Sequence, residues 1–127
     1  MGKISEVITL GEKIAEPSHL AFGHSRWATH GGVTQYNAHP HTTENQDIAI
    51  VHNGIFENYL ELKQKLIEKN HQFRSETDSE VFAHLIEDEM EEGFEVAFRR
   101  ASKQVTGRYA VLAICEEEEK ACKAPAL

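Results

Sequence analysis

Cysteine is scarce in this sequence. The 127 residues contain two, Cys115 and Cys122, separated by six residues around a glutamate run. That is neither a CxxC pair nor a disulfide framework, so a cystine-stapled secreted scaffold is excluded. Positive charge is also short, with 13 Lys and Arg against 21 Asp and Glu and a formal net charge of −8. The basic stripe of a nucleic-acid or anionic-membrane surface is therefore missing, and neither partner is expected. No apolar run approaches membrane-spanning length, no secretory signal is present, and MGKISE departs from the myristoylation pattern at Glu6. The expected compartment is the cytosol. There is no Gly-rich phosphate loop, no dinucleotide fingerprint, no HExxH and no Cys/His ligand pairing.

What remains is enough for a modest core. Apolar residues make up 40% of the chain, which fits one small domain or a piece of a larger one. Short β-favouring runs are expected at Glu6–Leu10, Leu20–Arg26 and Asp47–His52, the last ended by Asn53-Gly54. A helical stretch carrying Leu60, Lys63, Leu66 and Ile67 closes near Asn70, a C-terminal cap residue. In TDSEVFAHLIEDEM, Thr77 and Glu80 have capping-box spacing, and Val81, Phe82, Leu85 and Ile86 share one face. A third helix is expected over Phe94–Val105, burying Phe94, Ala97, Phe98 and Ala101. A strand follows at Tyr109–Cys115 with Cys115 as a buried, inert thiol, then a glutamate tip at Glu116–Glu119, then a partial strand from Ala121. Strands at both ends with helices between them indicate an α+β, layered arrangement.

The chemistry-bearing residues each have a plain reading as well as a functional one. Eight histidines are many for this length, and four lie between His24 and His41. Without a ligand motif, hydrogen-bonded structural histidines are expected over a metal site; no metal and no cofactor is assigned. HPH at 39–41 is expected to put its two rings on opposite sides of the chain. Arg26, with Trp27, Thr29 and His30 between glycines, is either an anion clamp under a flap or a surface ion pair beside a core tryptophan. Asn53 and Gly54 are either an ordinary turn or two N–H donors for one oxyanion. Asp78 favours the helix dipole, or receives an ammonium. Taken together, a guanidinium for a carboxylate, a carboxylate for an ammonium and an oxyanion hole for an amide describe glutamine.

The blocks HSRWATHGG, YNAHPH, IVHNGIFENY and SETDSEVFAHL, in that order, resemble the class II glutamine amidotransferase domain of the glucosamine-6-phosphate synthase family. LGEKIAEPSHLAFGHSRW and the strand RYAVLAIC extend the resemblance to nearly the whole chain, so residues 1–127 are expected to form part of one glutaminase domain. It implies an N-terminal-nucleophile hydrolase fold, here a partial four-layer αββα sandwich. It also implies that an N-terminal cysteine, with its own α-amine as base, attacks the glutamine amide. The ammonia then passes to a sugar-phosphate isomerase domain that makes glucosamine 6-phosphate from fructose 6-phosphate, in a parent expected to be a homo-oligomer. By resemblance Arg26 pairs with the α-carboxylate, helped by Thr29 and His30, and Trp27 belongs to the closing flap. Asn53 and Gly54 form the oxyanion hole, and Asp78 binds the α-ammonium of L-glutamine.

The departure from the family is the nucleophile. No cysteine precedes Arg26, and Cys115 and Cys122 lie late, without a free α-amine. The expectation is an internal fragment, inactive alone, weak in binding glutamine and prone to associate through an uncovered sheet edge. A glutamine sensor that kept the clamp is the alternative from another class, and a histidine-based metal protein the third.

Overall fold

The computed structural model describes residues 22–24, 34–116 and 120–124. The strand expected at Glu6–Leu10 lies outside these residues. So does Leu20–Arg26 apart from 22–24, which carry no regular structure. In chain order come β1 (His41–Thr42), β2 (Ile48–Gly54), α1 (Tyr59–Glu68), α2 (Ser79–Asp88), a 3₁₀ turn (Met90–Glu92), α3 (Phe94–Gln104), β3 (Tyr109–Cys115) and β4 (Lys120–Ala124). The strands form one antiparallel sheet in the order β1-β2-β3-β4. β2 and β3 lie side by side with all three helices between them in sequence, so Asn53-Gly54 makes no hairpin.

One face of the sheet is packed. Ile48, Ile50 and His52 on β2 lie opposite Cys115, Ala113 and Val111 on β3, and all six are buried. Period-two alternation turns these side chains to the same side, toward the helices. The alternate face carries Ala49, Leu112 and Ile114, only partly covered among the described residues. One sheet with its helix layer is the part of the αββα sandwich that these residues build.

Helix α2 lies at the centre and is buried from Ser79 to Ile86. Its Phe82 ring stacks on Phe56, 5.4 Å between centroids, and meets Phe98 of α3 edge to face. Helix α3 buries Phe94, Ala97, Phe98 and Ala101, as its periodicity predicts. Helix α1 forms where the sequence places it, burying Leu62 and Leu66 and leaving Leu60 and Ile67 exposed. Its end is a Schellman motif: Asn70 has φ +71°, its N–H donates to Ile67 O, and His71 N–H donates to Leu66 O.

The capping box at the start of α2 does not form. Asp78 is the N-cap and makes no side-chain cap bond. Glu80 instead accepts the N–H of Arg74 (2.8 Å), the N–H of Ser75 (2.6 Å) and the Ser75 hydroxyl (2.6 Å). Thr77 Oγ1 turns to Ser75 Oγ and His41 Nε2. The preceding loop offers the carboxylate three donors where a capping box offers one, and the three win.

Candidate functional site

The end of β2 sets the geometry. Gly54 has φ +111°, and a Cβ there would stand 2.2 Å from Arg108 O, so only glycine fits. Beyond it Ile55 N–H donates to Arg108 O and Glu57 N–H to Thr106 O. Asn58 clasps the same segment, accepting Thr106 N–H at 2.9 Å and donating to Gln104 O at 2.8 Å. Because Ile55 directs its N–H toward β3, ladder alternation directs that of Gly54 to the opposite edge. There β1 reaches only as far as the His41–Ile50 pair. Among the described residues no strand covers that edge at Gly54.

Asn53 is exposed, and its Oδ1 lies 2.6 Å from His24 Nε2. An amide oxygen only accepts, so His24 donates and the Asn53 NH2 group is left to point elsewhere. The ring of His24 packs on His39 at 4.2 Å between centroids, and His39 meets His41 edge to face at 4.7 Å. The HPH rings therefore lie together, not on opposite sides as expected; the His39–Pro40 peptide is cis. His52 is held from two sides, by Ser79 Oγ at 2.8 Å from Nδ1 and by stacking on Phe56. Histidines 41 and 52 are thus buried and hydrogen-bonded, which agrees with the structural reading.

Asp78 is 2% exposed. Its Oδ2 accepts the N–H of Phe56 at 2.8 Å, two residues beyond Gly54, so the start of α2 is tied to the end of β2. Asn37 completes the frame: its Oδ1 accepts Glu76 N–H at 3.0 Å and its amide donates to Glu76 Oε2. This joins the NAHPH block to the SETD block. Burial pushes the Glu80 carboxyl up, but His84, Ser75 and the N–H groups of Arg74 and Ser75 together bring it down to about 2.

Of the sequence-predicted residues, the structure brings Asn53, Gly54 and Asp78 to one end of β2. Arg26, Trp27, Thr29 and His30 lie outside the described residues. Sequence reasoning missed His24 and Asn37. Both stood inside the quoted blocks, and only their tertiary partners, Asn53 and Glu76, show what they do.

The fold and this strand-end cluster place the chain among the glutamine amidotransferases. Two solved structures match over 73% of the chain. One is described as glutamine phosphoribosylpyrophosphate amidotransferase from B. subtilis complexed with ADP and GMP (TM-score 0.62, 30% identity, 20% of that chain). The other is described as the allosteric regulatory enzyme of purine biosynthesis (TM-score 0.63, 32% identity, 21% of that chain). The family model of the glutamine amidotransferase domain matches residues 11–123, and the chain belongs to that family. Similar curated proteins are the glutamine–fructose-6-phosphate aminotransferases (isomerizing) of Thermus thermophilus, 51% identical over 119 residues, and of Sulfurisphaera tokodaii, 51% identical over 122 residues. Each match covers 94% of this chain, which spans 20% of the relative's length. Among the described residues no helix is long and apolar enough to cross a membrane.

Proposed function

We propose that this chain is the glutamine-holding part of a cytosolic glutaminase domain. Arg26, with Thr29 and His30, takes the α-carboxylate of L-glutamine, Trp27 closes over the site, and Asp78 takes the α-ammonium. Asn53 and Gly54 donate to the oxyanion formed when the side-chain amide is attacked. The observation that supports this best is the contact of His24 with Asn53 Oδ1. It occupies the amide oxygen, which supports a role for the NH2 group as a donor already in place before charge develops. The Gly54 N–H, on the edge of β2 that no strand covers among the described residues, supplies the second donor. Asp78, anchored through Oδ2, offers its other oxygen lobe to the ammonium.

Neither cysteine of the chain serves as nucleophile in this reading. Cys115 is buried at the end of β3, and Cys122 lies within β4; neither carries a free α-amine. Hydrolysis requires an attacking thiolate beside Asn53 and Gly54, and the chain taken alone is expected to bind glutamine weakly without turning it over. In the longer protein, a homo-oligomer in this reading, the ammonia serves a sugar-phosphate isomerase domain that makes glucosamine 6-phosphate from fructose 6-phosphate. The names of the similar aminotransferases support that assignment.

Calorimetric titration of the full chain with glutamine tests the clamp. Saturable heat is expected, weakened at least about tenfold by Arg26→Ala and by Asp78→Asn. Binding that ignores both substitutions would refute the assignment. In the longer protein, Asn53→Ala is expected to lower kcat by about 10²–10³, the usual loss of one oxyanion donor.

A further inference from the structure

We propose that His71, His84 and Glu87 form a binding site for a divalent transition-metal cation of the zinc class, independent of the glutamine site. His71 follows the Schellman turn that ends α1, and His84 and Glu87 lie three apart on one face of α2. His71 Nδ1 is 3.1 Å from His84 Nδ1, and each of these nitrogens is 3.2 Å from Glu87 Oε2. The three atoms make a nearly equilateral triangle. Corners of such a triangle lie about 1.8 Å from its centre, so an ion about 1 Å out of the plane would be about 2.1 Å from all three, the usual Zn–N and Zn–O distance.

The far side of each ring decides what the triangle wants. His71 Nε2 faces Asp88 Oδ1 at 3.6 Å, and His84 Nε2 faces Glu80 Oε1 at 3.8 Å. Both contacts are longer than a hydrogen bond, and the nearby negative charge favours the proton on Nε2 in both rings. The two Nδ1 atoms then turn lone pairs toward each other and toward Glu87 Oε2. Three electron-pair donors repel, and one proton can bridge only part of the triangle, whereas a cation satisfies all three. A carboxylate that accepts the far N–H is the usual support of a histidine–metal bond, and Asp88 and Glu80 stand within about half an ångström of that role. Two imidazoles and a carboxylate suit zinc, cobalt or nickel better than calcium or magnesium, and a water would complete a tetrahedron.

The surroundings agree. His84 is 1% exposed and His71 14%, while Glu87 at 29% leaves an approach from solvent. Phe73 packs against His84, 4.5 Å between ring centroids, and forms an apolar wall. An ion here would pin the loop after α1 to α2. The spacing escapes a motif search because His71 is thirteen residues from His84 in sequence and meets it only through the helix-ending turn.

Titration of the full chain with Co²⁺, read by visible absorption, and with Zn²⁺, read by calorimetry, tests the site. One ion per chain is expected, with a tetrahedral cobalt spectrum. His71→Asn and Glu87→Gln, both at partly exposed positions that should keep the fold, are each expected to weaken binding by at least about tenfold, and Asp88→Asn by about tenfold through loss of ring support. Circular dichroism of each variant checks that it is folded. Absence of binding at millimolar metal overturns the proposal. So does binding that the three variants leave unchanged, which would place the ion on other histidines.

Discussion

The two ends of α2 use the same residue types for opposite purposes. At the N-terminal end, Asp78 and Glu80 are surrounded by donors that the backbone fixes: Phe56 N–H for one, Arg74 and Ser75 N–H for the other. Glu80 takes three donors and Asp78 one, through Oδ2, and the loop before the helix is closed on them. At the C-terminal end, Glu87 Oε2 faces two imidazole nitrogens, Nδ1 of His71 and of His84, each at 3.2 Å. Among the described residues no backbone N–H is bonded to the Glu87 carboxylate there. Carboxylates met by fixed donors hold a fold together, whereas bases gathered without donors leave room for a cation.

The middle of the helix holds both ends in place, so the largest effect is expected there. Phe82→Ala removes a ring stacked on Phe56 and packed on Phe98 and should cost about 3–5 kcal/mol in denaturant unfolding. A change well below that would mean that the two ends stand without a common core. Next comes Glu80→Ala, which strands the N–H groups of Arg74 and Ser75 and should cost about 3 kcal/mol. A loss no larger than that of a surface substitution would erase the contrast between the ends.

Acid sharpens the same contrast. The Glu80 carboxyl is held at about 2 against its usual 4.5. A group depressed on folding adds stability above its unfolded value and loses it as pH falls through the folded one. This contribution, up to about 3 kcal/mol, is therefore complete above about pH 4.5 and gone near pH 2. Unfolding curves across that window should be steeper for the unsubstituted chain than for Glu80→Gln; parallel curves would remove Glu80 from the account. The smallest effect is expected at the other end. In metal-free chain Glu87→Gln should change stability by no more than about 0.5 kcal/mol, and a larger loss would show that Glu87 already has a structural partner.

Much of the architecture was legible in the sequence. The boundaries of β3 and the buried face of α3 follow from period and composition, because a packed face repeats at the spacing of its element. Which apolar residues of α1 are covered was not legible, since Leu60 and Ile67 are as hydrophobic as Leu62 and Leu66 and only the neighbouring elements determine which are buried. The capping box failed for a similar reason. Its spacing at Thr77 and Glu80 is correct, but local pattern cannot weigh the donors that Arg74 and Ser75 bring.

By itself the sequence determined the family, through blocks whose order and content are specific, and the elements, through side-chain periodicity. It also placed Asn53-Gly54 at a strand end, where a positive φ and the close approach of Arg108 O require glycine. Only the tertiary structure decided which polar groups meet: His24 with Asn53, Asp78 with Phe56, and His71 with His84 and Glu87. Hydrogen bonds and metal–ligand geometry act over about 2–3 Å. Residues far apart in the chain reach that range only when the sheet and its helices have packed.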